Sequence, residues 1–155
     1  MTPAINLAKK QKIAFTTHQY QHDTNASSYG MEAVEKLGLE QGIVFKTLVV
    51  ELDTKQLVVA VIPVAEKLSM KLIAKAAKAK KAAMAPAPIV ERSTGYLLGG
   101  VSPLGQKKRL LTFIDNSAQS LPKMYISAGR RGLEIALAPN DLKQLTNATF
   151  SELTS

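Results

Sequence analysis

Two apolar, β-branched runs lie almost back to back in this chain. They are Val44 to Leu52 and Leu57 to Pro63, with a turn at Asp53-Thr54-Lys55 between them. Val, Ile and Phe at this density read as strands. So short a connection has no room for a crossover, so the two runs must pair antiparallel as a hairpin. The rest of the chain is organised around that hairpin. Thr2 followed by Pro3 starts a helix running to about Lys12, with a hydroxyl cap and then a residue whose missing N–H costs nothing there. Ala14 to Tyr20 reads as a strand and Gln21 to Ser28 as a polar loop. Ser28 caps a helix from Tyr29 to Leu37, with Glu32 near its positive end and Gly38 as the stop. Ser69 caps a helix reaching about Ala83, and Ala87 to Ser93 forms a short helix ended by Gly95. Strands follow at Leu110 to Asp115, Lys123 to Ser127 and Leu133 to Leu137. Asn140 then caps a last helix from Asp141 to about Thr146. Strands and helices do not alternate regularly. The expected class is therefore α/β of the α+β type, one domain over residues 1–155, with a mixed, mainly antiparallel sheet surrounded by helices rather than a doubly wound one.

Composition narrows the function. At 155 residues and 46% hydrophobic content the chain can bury a sizeable core. Twenty Lys and Arg against twelve Asp and Glu leave a net charge of +8, which favours polyanionic partners: RNA, DNA or an anionic membrane surface. The sequence contains no Cys, which excludes a disulfide framework, a thiolate metal site and a cysteine nucleophile. Its longest apolar run, Leu57 to Ala65, is nine residues and is interrupted by Pro63, far short of the roughly 20 a membrane helix needs. Met1 to Phe15 has no continuous apolar stretch of the targeting type, so a cytoplasmic location is expected.

Three features could carry chemistry. Alternation puts Val44, Lys46, Leu48, Val50 and Leu52 on one strand face and Phe45, Thr47, Val49 and Glu51 on the other. Lys46 thus falls on the more apolar face, where an ammonium is costly. Either its stem lies along the core with the head in water, or it points into a pocket for an anionic or carbonyl group. The second feature is Gly95 to Gly105, with four glycines and a proline in eleven residues. Its N–H groups could cradle a phosphate or a polarised carbonyl, or it could be an ordinary loop; it lacks the lysine and hydroxyl of a P-loop. The third is a basic stripe, Lys71, Lys75 and Lys78, spaced to share a helix face. Lys107-Lys108-Arg109 and Arg130-Arg131 lie elsewhere, and few aromatics accompany them. His18 and His22, the only histidines, fall in strand and loop without a metal-binding or triad pattern, so neither a metal nor another cofactor is expected.

Thr2-Pro3-Ala4 stands at the start, Val44-Phe45-Lys46-Thr47-Leu48 in the middle strand, and Thr94-Gly95-Tyr96 leads into Gly99-Gly100-Val101-Ser102-Pro103-Leu104-Gly105. Tyr125-Ile126-Ser127-Ala128-Gly129-Arg130-Arg131-Gly132-Leu133-Glu134-Ile135 follows, so the set spans nearly the whole chain. With these segments in this order the chain resembles the YbaK family, the free-standing Cys-tRNA(Pro) deacylases related to the editing domain inserted in bacterial prolyl-tRNA synthetases. The resemblance implies a partly barrel-like sheet and removal of a wrongly attached amino acid from tRNA(Pro), an error one binding pocket cannot prevent because Cys is close in size to Pro. It also implies that the protein supplies no nucleophile. The cysteinyl thiol attacks its own ester carbonyl and leaves as a thiolactone, while the protein positions and stabilises. On that basis Lys46 serves the terminal ribose and ester, and the loop of Gly99, Gly100, Val101, Ser102 and Pro103 offers the N–H groups of its non-proline residues to the carbonyl or the adenosine. Tyr20, Tyr29, Ser127 and Gly129 line the pocket, with Thr47 the weaker member because alternation sets it opposite Lys46. Tyr29 stands where many relatives carry Phe. Lys71, Lys75, Lys78, Arg130 and Arg131 would meet tRNA or the synthetase. The partners implied are mischarged tRNA and prolyl-tRNA synthetase, not DNA or a membrane. An Ala-tRNA(Pro) deacylase using activated water, or a non-catalytic tRNA- or synthetase-binding module, would share many of these features.

Overall fold

The computed structural model describes residues 1–25 and 29–155, Tyr29 by its backbone alone. The expected Ser28 cap and the Tyr29 side chain therefore lie outside the described residues. Helix α1 (Pro3–Lys10) begins as its sequence predicts, the Thr2 hydroxyl accepting the Ile5 N–H at 3.3 Å. Strand β1 (Phe15–Gln19) and helix α2 (Tyr29–Leu37) follow, and a 3-10 turn (Gln41–Ile43) leads into β2 (Phe45–Leu52). Strand β3 (Leu57–Pro63) completes the hairpin, in antiparallel register from Phe45 opposite Pro63 to Glu51 opposite Leu57.

The next segment departs from expectation. Helix α3 (Met70–Ala76) starts on Ser69, whose hydroxyl accepts the Leu72 N–H, but it ends at Ala76, well short of the expected Ala83. Lys78 adopts a left-handed φ of 60°. The N–H of Ala79 bonds Ala74 and that of Lys78 bonds Lys75, which closes the helix with the double hydrogen bond usually built on glycine. The alanines that looked helical then form β4 (Ala82–Met84), an edge strand paired to Val50–Leu52. Tertiary pairing here overrides alanine's helix propensity. Helix α4 (Ala87–Thr94), β5 (Leu111–Asp115), a 3-10 turn (Asn116–Ser120), β6 (Met124–Arg130) and β7 (Leu133–Leu137) follow. Helix α5 (Pro139–Thr146) begins two residues before the expected start, with Ala138 as its cap and Pro139 as its first residue, so Asn140 is not the cap. A last strand, β8 (Thr149–Ser151), has no counterpart in the sequence reading.

The strands form two sheets, in the orders β1-β7-β6 and β4-β2-β3-β5-β8. Only the β3–β5 and β5–β8 ladders are parallel, so the sheets are mixed and mainly antiparallel. A single parallel bridge, Val44 to Tyr125, ties the entry of β2 to β6 and joins the sheets along one side. The main core fills the space between them, from Phe45, Val49, Val61 and Ile114 on one side to Met124, Ile126, Ile135 and Leu137 on the other, with Ala4 and Ala8 of α1 packed in. The five-stranded sheet is covered on its other face too, where Val50, Val58, Ile62 and Phe113 meet Ile73 of α3. Burial on both faces is why β2 and β3 read as nearly unbroken apolar runs.

Candidate active site

The cavity of interest opens where β2 and β6 part. Pairing stops after the Val44–Tyr125 bridge. Continued in parallel, that register would set Lys46 level with Ser127. Instead the strands diverge, and both residues line a cavity of about 230 Å³. Lys46 is half-buried. Burial lowers the pKa of its ammonium below the ordinary 10.5, with Glu66 pulling weakly the other way. Among the described residues no hydrogen bond or ion pair engages it. Thr47 lines the same cavity, despite the alternation that set it aside. Its hydroxyl oxygen is buried without a hydrogen-bond partner among the described residues, a costly arrangement that a ligand would relieve.

The facing wall is Leu98, Gly99 and Val101. The loop holding them is tightly tethered. Tyr96 donates its hydroxyl to the Leu104 carbonyl, Leu98 donates its N–H to Glu91 Oε2 at 3.2 Å, and Arg131 Nη2 donates to the Leu98 carbonyl at 3.2 Å. The N–H groups of Gly99 and Val101 donate to no protein atom among the described residues. Tyr20 closes another side. Burial first, and Glu134 next, push its phenol up to about 12, so it stays a hydrogen-bond donor at neutral pH. Arg130 and Arg131, expected to meet tRNA or the synthetase, also line the cavity.

Several expected residues fall elsewhere. Gly100 packs against the Arg130 backbone, where an added Cβ would sit 2.8 Å from Arg130 Cα. Ser102 is fully buried, and its hydroxyl accepts the Leu104 N–H. Pro103 lines a separate cavity with Leu7 and Leu110. Gly129, at φ 112°, packs behind the Tyr96 ring, where an added Cβ would sit 2.8 Å from Tyr96 Cε1. These four shape the walls from behind rather than lining this cavity. Lys71 and Lys75 are exposed on α3, but Lys78 lies past the helix end, so the three do not form one helical stripe.

Glu134 was missed. It is 6% exposed at the cavity, and burial pushes its carboxyl up to about 8. The signal that flagged Lys46, one charge in an apolar strand, was present in Leu133-Glu134-Ile135-Ala136-Leu137 as well. His22 lies outside the cavity lining and bonds Glu32 Oε1 through Nδ1 at 2.7 Å. Burial alone would raise the Glu32 pKa, but His22, the Asp23 N–H and Lys36 together hold it below the usual carboxylate value.

Residues 24–145 match the model of the aminoacyl-tRNA editing domain. The chain belongs to that family. The editing domain is 37% identical over 154 residues to an Enterococcus faecalis protein, EbsC, which carries the provisional name Cys-tRNA(Pro)/Cys-tRNA(Cys) deacylase; the match covers 99% of this chain and 93% of that one. Its fold superposes with a TM-score of 0.83 on a crystal structure described provisionally as a trans-editing enzyme for prolyl-tRNA synthetase, 19% identical, covering 100% of this chain and 99% of that one. A TM-score of 0.84 relates it to the hypothetical protein APE2540, 24% identical over 96% of this chain and 98% of that one. The editing domain has no described helix long and apolar enough to cross a membrane.

Proposed function

We propose that this editing domain acts in trans in the cytoplasm on tRNA(Pro) carrying cysteine, after release from or alongside prolyl-tRNA synthetase. The observation that carries the reading is that Lys46, unpaired among the described residues, lines one cavity with Gly99 and Val101, whose N–H groups donate to no described protein atom. Together they would hold an ester between a cation and two amides, a geometry suited to a developing oxyanion. The cavity has hydroxyls, Tyr20, Thr47 and Ser127, but no histidine among its lining residues to activate them. The Ser127 hydroxyl already accepts the Gly129 N–H. The substrate's own thiol then fills the role of nucleophile. Its sulfur bonds the ester carbonyl carbon, the bond from that carbon to the ribose oxygen breaks, and the thiol proton ends on the freed ribose hydroxyl. The free-enzyme cavity has only to exclude water and align the two ends.

A second reading has its own support. Glu134 lines the cavity, and with its carboxyl raised to about 8 its ionised form, a minor fraction at neutral pH, would be the general base for the water that Ala-tRNA(Pro) needs because alanine has no thiol. Parallel assays with Cys-tRNA(Pro) and Ala-tRNA(Pro) separate the two. The first reading expects loss of Cys, persistence of Ala, and a stable ester when the thiol is S-methylated. Loss of Ala, abolished by Glu134→Gln, would establish the second reading in its place. Salt-sensitive tRNA binding with neither ester cleaved would leave a non-catalytic binding module.

A further inference from the structure

A second chamber adjoins the first. It measures about 460 Å³ and shares Leu98, Arg130 and Arg131 with the inner cavity, adding Glu91, Leu97, Gly100 and Gly129. Small-ligand sites usually span about 300–1,000 Å³. The inner cavity, at about 230 Å³, falls below that range, so an aminoacyl nucleoside entering it must extend past its mouth. The neighbouring chamber is the space it would extend into. Its rim is unusual for this molecule. Leu97 is 73% exposed and Leu98 44%, two of only five exposed large hydrophobic residues among those described. Arginines stand beside them, and Arg131 is held in place by the Leu98 carbonyl and His22. An exposed apolar ledge flanked by guanidinium groups suits a single-stranded ribonucleotide, with the base on the ledge and the phosphate on the cations. The ledge is held rigidly. Glu91 fixes the Leu98 N–H, and Gly100 lies flat on the Arg130 backbone, where any side chain would collide.

We infer that the outer chamber binds the nucleotide immediately preceding the terminal adenosine of the acceptor strand, its base on Leu97 and its linking phosphate at Arg130 and Arg131. This rests on the reading that the inner cavity receives the aminoacylated 3′ end. It assigns the outer site to a feature every tRNA shares, so it contributes affinity without choosing among tRNAs.

The test uses the whole protein and two probes, adenosine and the dinucleotide cytidylyl-3′,5′-adenosine, titrated by NMR. The dinucleotide should bind about tenfold more tightly than adenosine. Leu97→Glu, at an exposed position outside the inner cavity, should erase that gain and leave adenosine affinity unchanged. The same variant should raise KM for Cys-tRNA(Pro) severalfold and keep kcat. Equal affinity of the two probes for the wild type, with adenosine still bound and the ester still cleaved, overturns the outer site alone. Failure of both probes to bind, with Cys-tRNA(Pro) left intact, overturns the inner-cavity reading and this inference with it. If Leu97→Glu loses association with the synthetase while the dinucleotide gain survives, the ledge is a protein contact and the assignment to a nucleotide is wrong.

Discussion

Lys46 and Glu134 pose one physical problem with opposite sign: each is a charge-bearing group in an apolar strand, lining the same cavity without an ion pair among the described residues. Burial disfavours the charged form of each, lowering the amine's pKa and raising the acid's. Neither arrangement stabilises the fold, which is the reason to look for a function. Lys46→Ala should therefore keep or slightly raise the melting temperature while lowering ester cleavage about 100-fold or more, measured on one preparation by calorimetry and deacylation. Glu134 also sets a pH dependence. Its folded pKa, about 8, lies above the ordinary 4.5, so the folded state holds the proton more tightly than the unfolded state does. Stability should then be highest below about 4.5 on this account and decline as pH rises towards 8, by about 1.4 kcal/mol for each unit of separation. Glu32 acts in the opposite sense. Its folded pKa lies below 4.5, so its contribution is present above that value and is lost as pH falls through the lowered one. Urea titrations across this range should show Glu134→Gln flattening the alkaline limb and Glu32→Gln the acid limb. An unchanged alkaline slope in Glu134→Gln would mean that its carboxyl titrates normally. Lys46 was legible because one cation breaks an apolar alternation. Thr47 was misjudged because alternation assigns a face, whereas the cavity forms where the sheet splits and both faces of β2 border it.

At the scale of elements, helix boundaries were legible where a capping hydroxyl or a stop glycine marks them, as Gly95 does for α4. Thr2-Pro3 and Ser69 announce helices through side-chain oxygens that accept free N–H groups. Just past the ends of α1 and α3, Lys12 and Lys78 take left-handed conformations that carry no glycine signal. Replacing Lys78 with Gly should relieve that strain and stabilise the protein by about 0.5–1 kcal/mol in urea unfolding. A loss of stability would show that the lysine stem contributes packing there. The glycine loop behaves oppositely. Gly100→Ala places a methyl 2.8 Å from Arg130 Cα, against backbone that cannot swing aside. It should cost about 1–3 kcal/mol and weaken cleavage together, because the displaced loop carries the Gly99 and Val101 donors. Normal stability and activity in this variant would show that the loop is not clamped. Strands β4 and β8, three residues each, were invisible because such short edge pairings leave no periodic trace.

For the whole molecule, the net charge of +8, with few ion pairs among the described residues, leaves a strongly positive surface. Deacylation at subsaturating tRNA should fall steeply with salt, and reversing Lys71 and Lys75 together should flatten the log–log salt slope by about one to two. An unchanged slope would place tRNA on another face. The amino-acid sequence by itself determined the hairpin, the mainly antiparallel mixture of strands, the basic charge and the family likeness. Each of these is local or additive: periodicity, turn length, counts of ionisable groups and short motifs. Only the tertiary structure decided that the alanines after Lys81 become a strand, that Ser102 and Pro103 support the loop from behind, and that Glu134 meets Lys46 across one cavity. Those outcomes depend on which strands lie side by side and where they part. Contacts between segments about ninety residues apart in the chain are set by packing of the common core, and no window of sequence contains them.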